Sequence, residues 1–116
     1  MSVQMNQTST MQLTNGTELS IQKTYSFQDI ATTEFVYDTY AIPGTTTNFQ
    51  LNLGRITTAK YIYIETNQPI TVMFNDTATI NFPVSKFVML NTSATAIYIT
   101  NANSVVATVN VVISGV

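Results

Sequence analysis

Six carboxylates, Glu18, Asp29, Glu34, Asp38, Glu65 and Asp76, carry most of the acid–base chemistry available to this chain, which contains no His and no Cys. Without imidazole the usual general base and the serine hydrolase triads are lost; without thiol, so are the soft metal ligand and the cysteine nucleophile. Two facing carboxylates can cleave glycosides at a separation of ~5–9.5 Å. Glu34 and Asp38 share one strand face but lie ~13 Å apart along it, and they read as solvated positions on a sheet. A hard cation could use Asp76 with Asn75 or Asn91, yet Ca²⁺ wants about six or more oxygens. The stretch "FNDTATI" has no such density and reads as a plain turn. The chain is therefore expected to be no enzyme, with no catalytic residue, metal or cofactor.

Aromatic residues offer the other chemistry. Tyr40, Tyr61, Tyr63 and Tyr98 could build a platform for sugars, although Trp, the commoner sugar-stacking residue, is absent. Tyrosines on a sheet often just pack with the hydroxyl at the rim. Sequons at Asn6, Asn15, Asn75 and Asn91 are no more than a chain so rich in Asn, Ser and Thr produces by chance.

The elements that position these residues are strands. In "AKYIYIETNQPITVMFN", Ala59 to Asn75, Ile62 and Ile64 take one face and Tyr61 and Tyr63 the other, because side chains alternate along a strand. The stretch reads as a hairpin whose second arm carries Ile70, Val72 and Phe74. Similar alternation runs through "ELSIQKTYSF", "TEFVYDTYAI" and "NFQLNLG", then "ATINFPVSKFVML", "ATAIYIT" and "VVATVNVVI". Pro43-Gly44, Asn75-Asp76, Asn91-Thr92-Ser93 and residues 101–104 supply turns. Pro83 cannot donate to a ladder and marks an edge or a bend. About eight short strands with turns every ~8–12 residues predict an all-β antiparallel sandwich, jelly-roll-like. The one helical turn expected lies between Ser26 and Thr33.

The 116 residues suffice for one domain, read as a polar N-terminal arm over 1–17 and a sandwich over 18–116. The arm is uncharged and shows no sustained period; Met5, Met11 and Leu13 could add apolar contacts once a partner orders it. The four cations, Lys23, Arg55, Lys60 and Lys86, are scattered, so nucleic-acid binding is not expected. No run approaches the ~20 apolar residues of a membrane span, and the start lacks a signal-peptide pattern. The chain reads as soluble and made in a cytoplasm.

One feature breaks the sandwich rule. An isolated sandwich keeps one face of each sheet polar, but "TEFVYDTYAI", "KYIYI", "FVML", "IYIT" and "VVATVNVVI" are apolar on both faces. Only 9% of residues are charged, against roughly 25% on average. The expectation is that Tyr61, Tyr63 and Tyr98, with Met5, Met11 and Leu13 of the arm, lie in interfaces with another subunit or a larger assembly.

A short, Cys-free, Thr/Asn-rich β chain with a polar arm and the tail "ATVNVVISGV" resembles small virion proteins of tailed bacteriophages, above all the auxiliary capsid proteins that decorate or cement the shell. The resemblance is one of sequence style over residues ~18–116. It implies a non-enzymatic structural protein of the virion, often a homotrimer, that binds a major capsid protein and reinforces the capsid. The arm and one apolar loop would grip the shell, and the Tyr- and Val-rich faces would join subunits. The alternative is a receptor- or carbohydrate-binding module of a fibre, tail or cell surface. Oligomeric state and glycan affinity separate the two.

Overall fold

The computed structural model describes residues 3–15, 19–78 and 81–116. Strands β1 (Val3–Asn15) and β2 (Leu19–Thr32) pair antiparallel with each other and with no other strand. Eight more follow: β3 (Glu34–Ile42), β4 (Thr46–Gln50), β5 (Ala59–Thr66), β6 (Ile70–Phe74), β7 (Phe82–Val84), β8 (Phe87–Ala94), β9 (Ile97–Asn101) and β10 (Ala107–Gly115). They form two four-stranded antiparallel sheets, ordered β3-β10-β5-β8 and β4-β9-β6-β7. The expected all-β sandwich is present.

The pairs β3/β10, β4/β9, β5/β8 and β6/β7 are successive rungs of one long antiparallel ribbon folded over at its β6–β7 tip. The rungs fall alternately into the two sheets, and the contacts β10–β5 and β9–β6 close them. This wrapping is a jelly roll.

It overturns the hairpin expected over residues 59–75. β5 pairs with β10 and β8, whereas β6 pairs with β9 and β7 in the opposite sheet. Alternation identifies both strands but is blind to their partners. The turn expected at residues 91–93 is likewise part of strand β8, where the register with β5 slips: Asn91 faces Tyr61 and Ala94 faces Ala59. The helical turn expected between Ser26 and Thr33 is also absent. β2 stays extended to Thr32, and the Thr33 amide donates to the Gly115 carbonyl at 2.9 Å. β-Branched Ile30, Thr32 and Thr33 favour that extended path. Pro83 does lie on an edge strand, β7.

Inward-facing Ile62, Ile64, Val72, Ile97, Ile99, Val109, Val111 and Ile113 make the centre of the core, all within 2% of full burial. The loops gather at two ends. At one end, Asn103 Nδ2 donates to the Pro69 carbonyl at 2.7 Å, and the Thr66 amide to the Lys86 carbonyl at 2.8 Å. There the side chain of Asn101, fully buried, donates to the carbonyls of Ile42, Pro43 and Val105 and accepts from the Asn103 amide. Gly44 packs so closely that a Cβ would meet the Ser104 backbone at 2.6 Å. We call this the loop end. At the other end, Thr57 and Thr58 amides donate to the Val116 carbonyl, and Asn75 bonds Ala96. β2 enters β3 here, so this is the ribbon end.

The β1–β2 ribbon is a third, separate sheet. Residues 3–15, expected as an irregular arm, are strand, and β2, expected to open the sandwich, pairs only with β1. The expected boundary at residue 17 lies outside the described residues. Where described, its side chains Asn6, Thr8, Thr10 and Met11 are exposed. The radius of gyration is 15.8 Å, above the ~13 Å of a closely packed chain of this length. A long ribbon standing off a sandwich accounts for the excess.

Candidate interaction face

Register places the side chains on the outer face of the β3-β10-β5-β8 sheet in rows. Nearest the ribbon end, Phe35, Ser114, Tyr61 and Asn91 stand side by side. The next row is Tyr37, Val112, Tyr63 and Met89, apolar or aromatic across all four strands. The third is Thr39, Asn110, Glu65 and Phe87.

Within the first two rows Ser114 is buried and the exposed apolar surface comes mainly from the β3 and β10 side. Phe35 is 64% exposed, Tyr37 74% and Val112 41%, and Tyr61, Tyr63 and Met89 are half-buried. With aromatic side chains presenting ~150–250 Å² each, the band offers roughly 400–500 Å². That equals the ~300–600 Å² of the largest apolar patch on a typical monomer, a patch that is often functional, and is over half of the ~800 Å² each partner gives a standard interface.

A polar chain bounds the band on the loop side. The Thr39 hydroxyl donates to Asn110 Oδ1 at 2.7 Å, Asn110 Nδ2 donates to Glu65 Oε1 at 3.3 Å, and the Tyr63 hydroxyl donates to Glu65 Oε2 at 2.7 Å. The hydrogen bond to Glu65, followed by burial and the carboxylate's charge, raises the Tyr63 pKa above its ordinary value. Phe87 stacks on Tyr63 with ring centroids 6.4 Å apart.

Beyond that row, at the loop end, lies an open depression of about 540 Å³ lined by Glu65, Lys86, Phe87, Thr108 and Asn110 among others. Sequence reasoning did not single it out, because its members come from three strands and two turns that only the wrapping brings together.

Tyr61 and Tyr63 thus lie together on one outer face, while Ile62 and Ile64 fill the core. Tyr98 does not join them. It lies on the outer face of the other sheet, in register with Met73. Tyr40 points inward, edge-on to Phe49 at 5.5 Å, with its hydroxyl accepting from the Asn52 amide. The four-tyrosine platform is therefore not assembled. Of the arm residues, Met11 is 75% exposed, and the side chains of Met5 and Leu13 lie outside the described residues. Phe35, Tyr37 and Val112 were legible as apolar positions, but their shared row depends on β10 entering between β3 and β5.

The carboxylates are dispersed. Asp38 sits on edge strand β3 and accepts from the Thr39 amide; Asp76 accepts from the Ala78 amide in its turn. Asn75 Oδ1 accepts from the Thr95 amide, and Asn91 belongs to β8. Among the described residues, no three acidic side chains cluster as a metal site, and no helix is long and apolar enough to cross a membrane. Val105 and Val106, in the connection from β9 to β10 at the loop end, are half exposed.

No family model, no curated protein and no solved structure matches the chain significantly.

Proposed function

We propose that this chain is a non-enzymatic structural protein of a phage virion, which assembles with copies of itself and reinforces a capsid as a decoration or cement protein. The observation that carries this reading is the outer-face band in which Phe35, Tyr37 and Val112 are exposed beside half-buried Tyr61, Tyr63 and Met89. Its occupant is a second copy of the chain. The area supplies over half of what one partner contributes to a standard interface. Pairing by edges is opposed at β3 by Asp38, which shares the parity of inward-facing Val36 and Tyr40, and at β7 by Pro83.

The β1–β2 ribbon supplies the second contact. A two-stranded ribbon is marginal alone, and a larger shell would stabilise it by covering it. In this arrangement the sandwiches join through the band near the ribbon end, the ribbon holds the capsid, and the loop end faces outward. Symmetry is expected to be threefold, by resemblance to decoration proteins.

Two measurements test the reading. Sedimentation should show a concentration-independent oligomer that Tyr37→Ser with Val112→Ser converts to folded monomer. Purified particles encoding the chain should contain it in a fixed ratio to the shell protein. A monomer at high concentration, or particles that lack it, sinks the proposal.

A further inference from the structure

We infer that the loop-end depression binds a neutral saccharide, which gives the outward end of the protein a recognition function beyond assembly. The residues supply the three things a pyranose needs. Phe87, 60% exposed, offers a ring to the apolar C–H face of the sugar. Glu65 offers acceptors to hydroxyl protons, with two of roughly four lone-pair sites committed to Tyr63 and Asn110. Donors to hydroxyl oxygens come from Lys86 and from the second Nδ2 proton of Asn110.

These groups are held before any ligand arrives. Asn110 is fixed from β3 by Thr39 and on β5 by Glu65, and Glu65 is fixed by Tyr63. Phe87 leans on the Tyr63 ring. The rim is tied by the Thr66–Lys86 backbone bond and by Asn67, whose Oδ1 accepts from the Thr108 amide at 2.8 Å. Preorganisation of this kind limits the ordering cost of binding. The volume falls within the ~300–1,000 Å³ of small-molecule sites.

Charge selects the class. One carboxylate and one ammonium line the depression, so it carries no excess of either sign. A phosphate would meet one cation beside a carboxylate, without the clustered Arg or Lys that anion sites use. A hydroxyl-rich neutral ligand can both donate to Glu65 and accept from Lys86. The site is open, so the single-site Kd is expected at about 1–10 mM, and an oligomer displaying several copies raises the avidity on a polysaccharide.

Ligand-observed saturation-transfer NMR on the full chain tests this at any oligomer size. The probes are methyl α-D-glucopyranoside, methyl β-D-galactopyranoside and N-acetylglucosamine. At least one should receive saturation at its ring C–H protons when the aromatic resonances are irradiated. Phe87→Ala should abolish the transfer, and Glu65→Gln should weaken binding about tenfold, with dichroism spectra unchanged in both. Tyr37→Ser, on the neighbouring band, should leave the transfer intact. No transfer to any probe at tens of millimolar overturns the inference, and so does transfer that survives Phe87→Ala. Inorganic phosphate, followed by its own ³¹P signal, should show no binding; phosphate binding that Lys86→Ala removes, without saccharide binding, assigns the depression to anions and overturns it equally.

Discussion

Tyr37 and Tyr63 stand on either side of Val112, two strands apart, and all three point away from the core. A row of this composition on the outer face of a sandwich is stable in water only at the cost of hydrating large apolar side chains. Changing Tyr61 and Tyr63 together to Ser should spare the fold and shift the protein toward monomer. Analytical ultracentrifugation reads the outcome. A double variant that unfolds would place the tyrosines in the core instead.

The same strand has an opposite requirement on its other face. Ile62 and Ile64 are 2% and 0% exposed, so each truncation to Ala should cost ~2–5 kcal/mol. Chemical denaturation should show a lowered midpoint with oligomer size unaffected in the folded fraction.

Asn101 should be the costliest polar residue to remove. Its side chain serves three carbonyls and two groups of Asn103 in a fully buried position. Asn101→Ala leaves buried carbonyls without donors and should destabilise by about 2–4 kcal/mol. Hydrogen exchange should quicken first in residues 43–45 and 102–106, which that side chain pins together.

Alkali should loosen the polar chain beside the band. The Tyr63 hydroxyl has its pKa raised in the folded protein because it donates to Glu65. Its contribution is whole below the unfolded value near 10.0 and is lost as pH rises through the folded value. Tyr63→Phe should therefore flatten the fall of melting temperature with pH in that window. An unchanged slope would show that the bond adds nothing to stability.

Deleting residues 1–31 removes the ribbon and keeps buried Thr32 and the Thr33–Gly115 bond. The melting temperature of the sandwich should barely move, because both four-stranded sheets begin after it. Attachment to particles should be lost, as measured by co-sedimentation with shells lacking the protein.

Side-chain parity is legible in the sandwich strands: Phe49, Leu51 and Leu53 turn inward, and Tyr61 and Tyr63 turn out, as period two requires. Strand pairing was not. β5 and β6 are neighbours in sequence and lie in different sheets, because parity carries no information about which edge a strand will meet. The polar segment over 3–15 looked unable to form structure, since its Gln, Ser and Thr bury nothing; a ladder of backbone hydrogen bonds with β2 needs no burial pattern. The aromatic band was half legible. Tyr63 stands out in the sequence as an aromatic on an unprotected strand face, but Tyr37 and Val112 become its neighbours only through β10.

The wrapping also sets how the molecule can be made. Each rung joins distant parts of the chain, and the Asn101–Ile42 bond spans 59 residues. β10 is interior to its sheet, between β3 and β5, and both wait for it. Loop closure over such lengths must precede any reward, so folding is expected in the slow, millisecond-to-second regime of non-local β topologies. Until β10 arrives, β3 and β5 expose both faces and a bare edge each. The aromatic residues that serve association in the finished protein are then a hazard during its synthesis, and expression at low temperature or with a chaperone should raise the soluble yield.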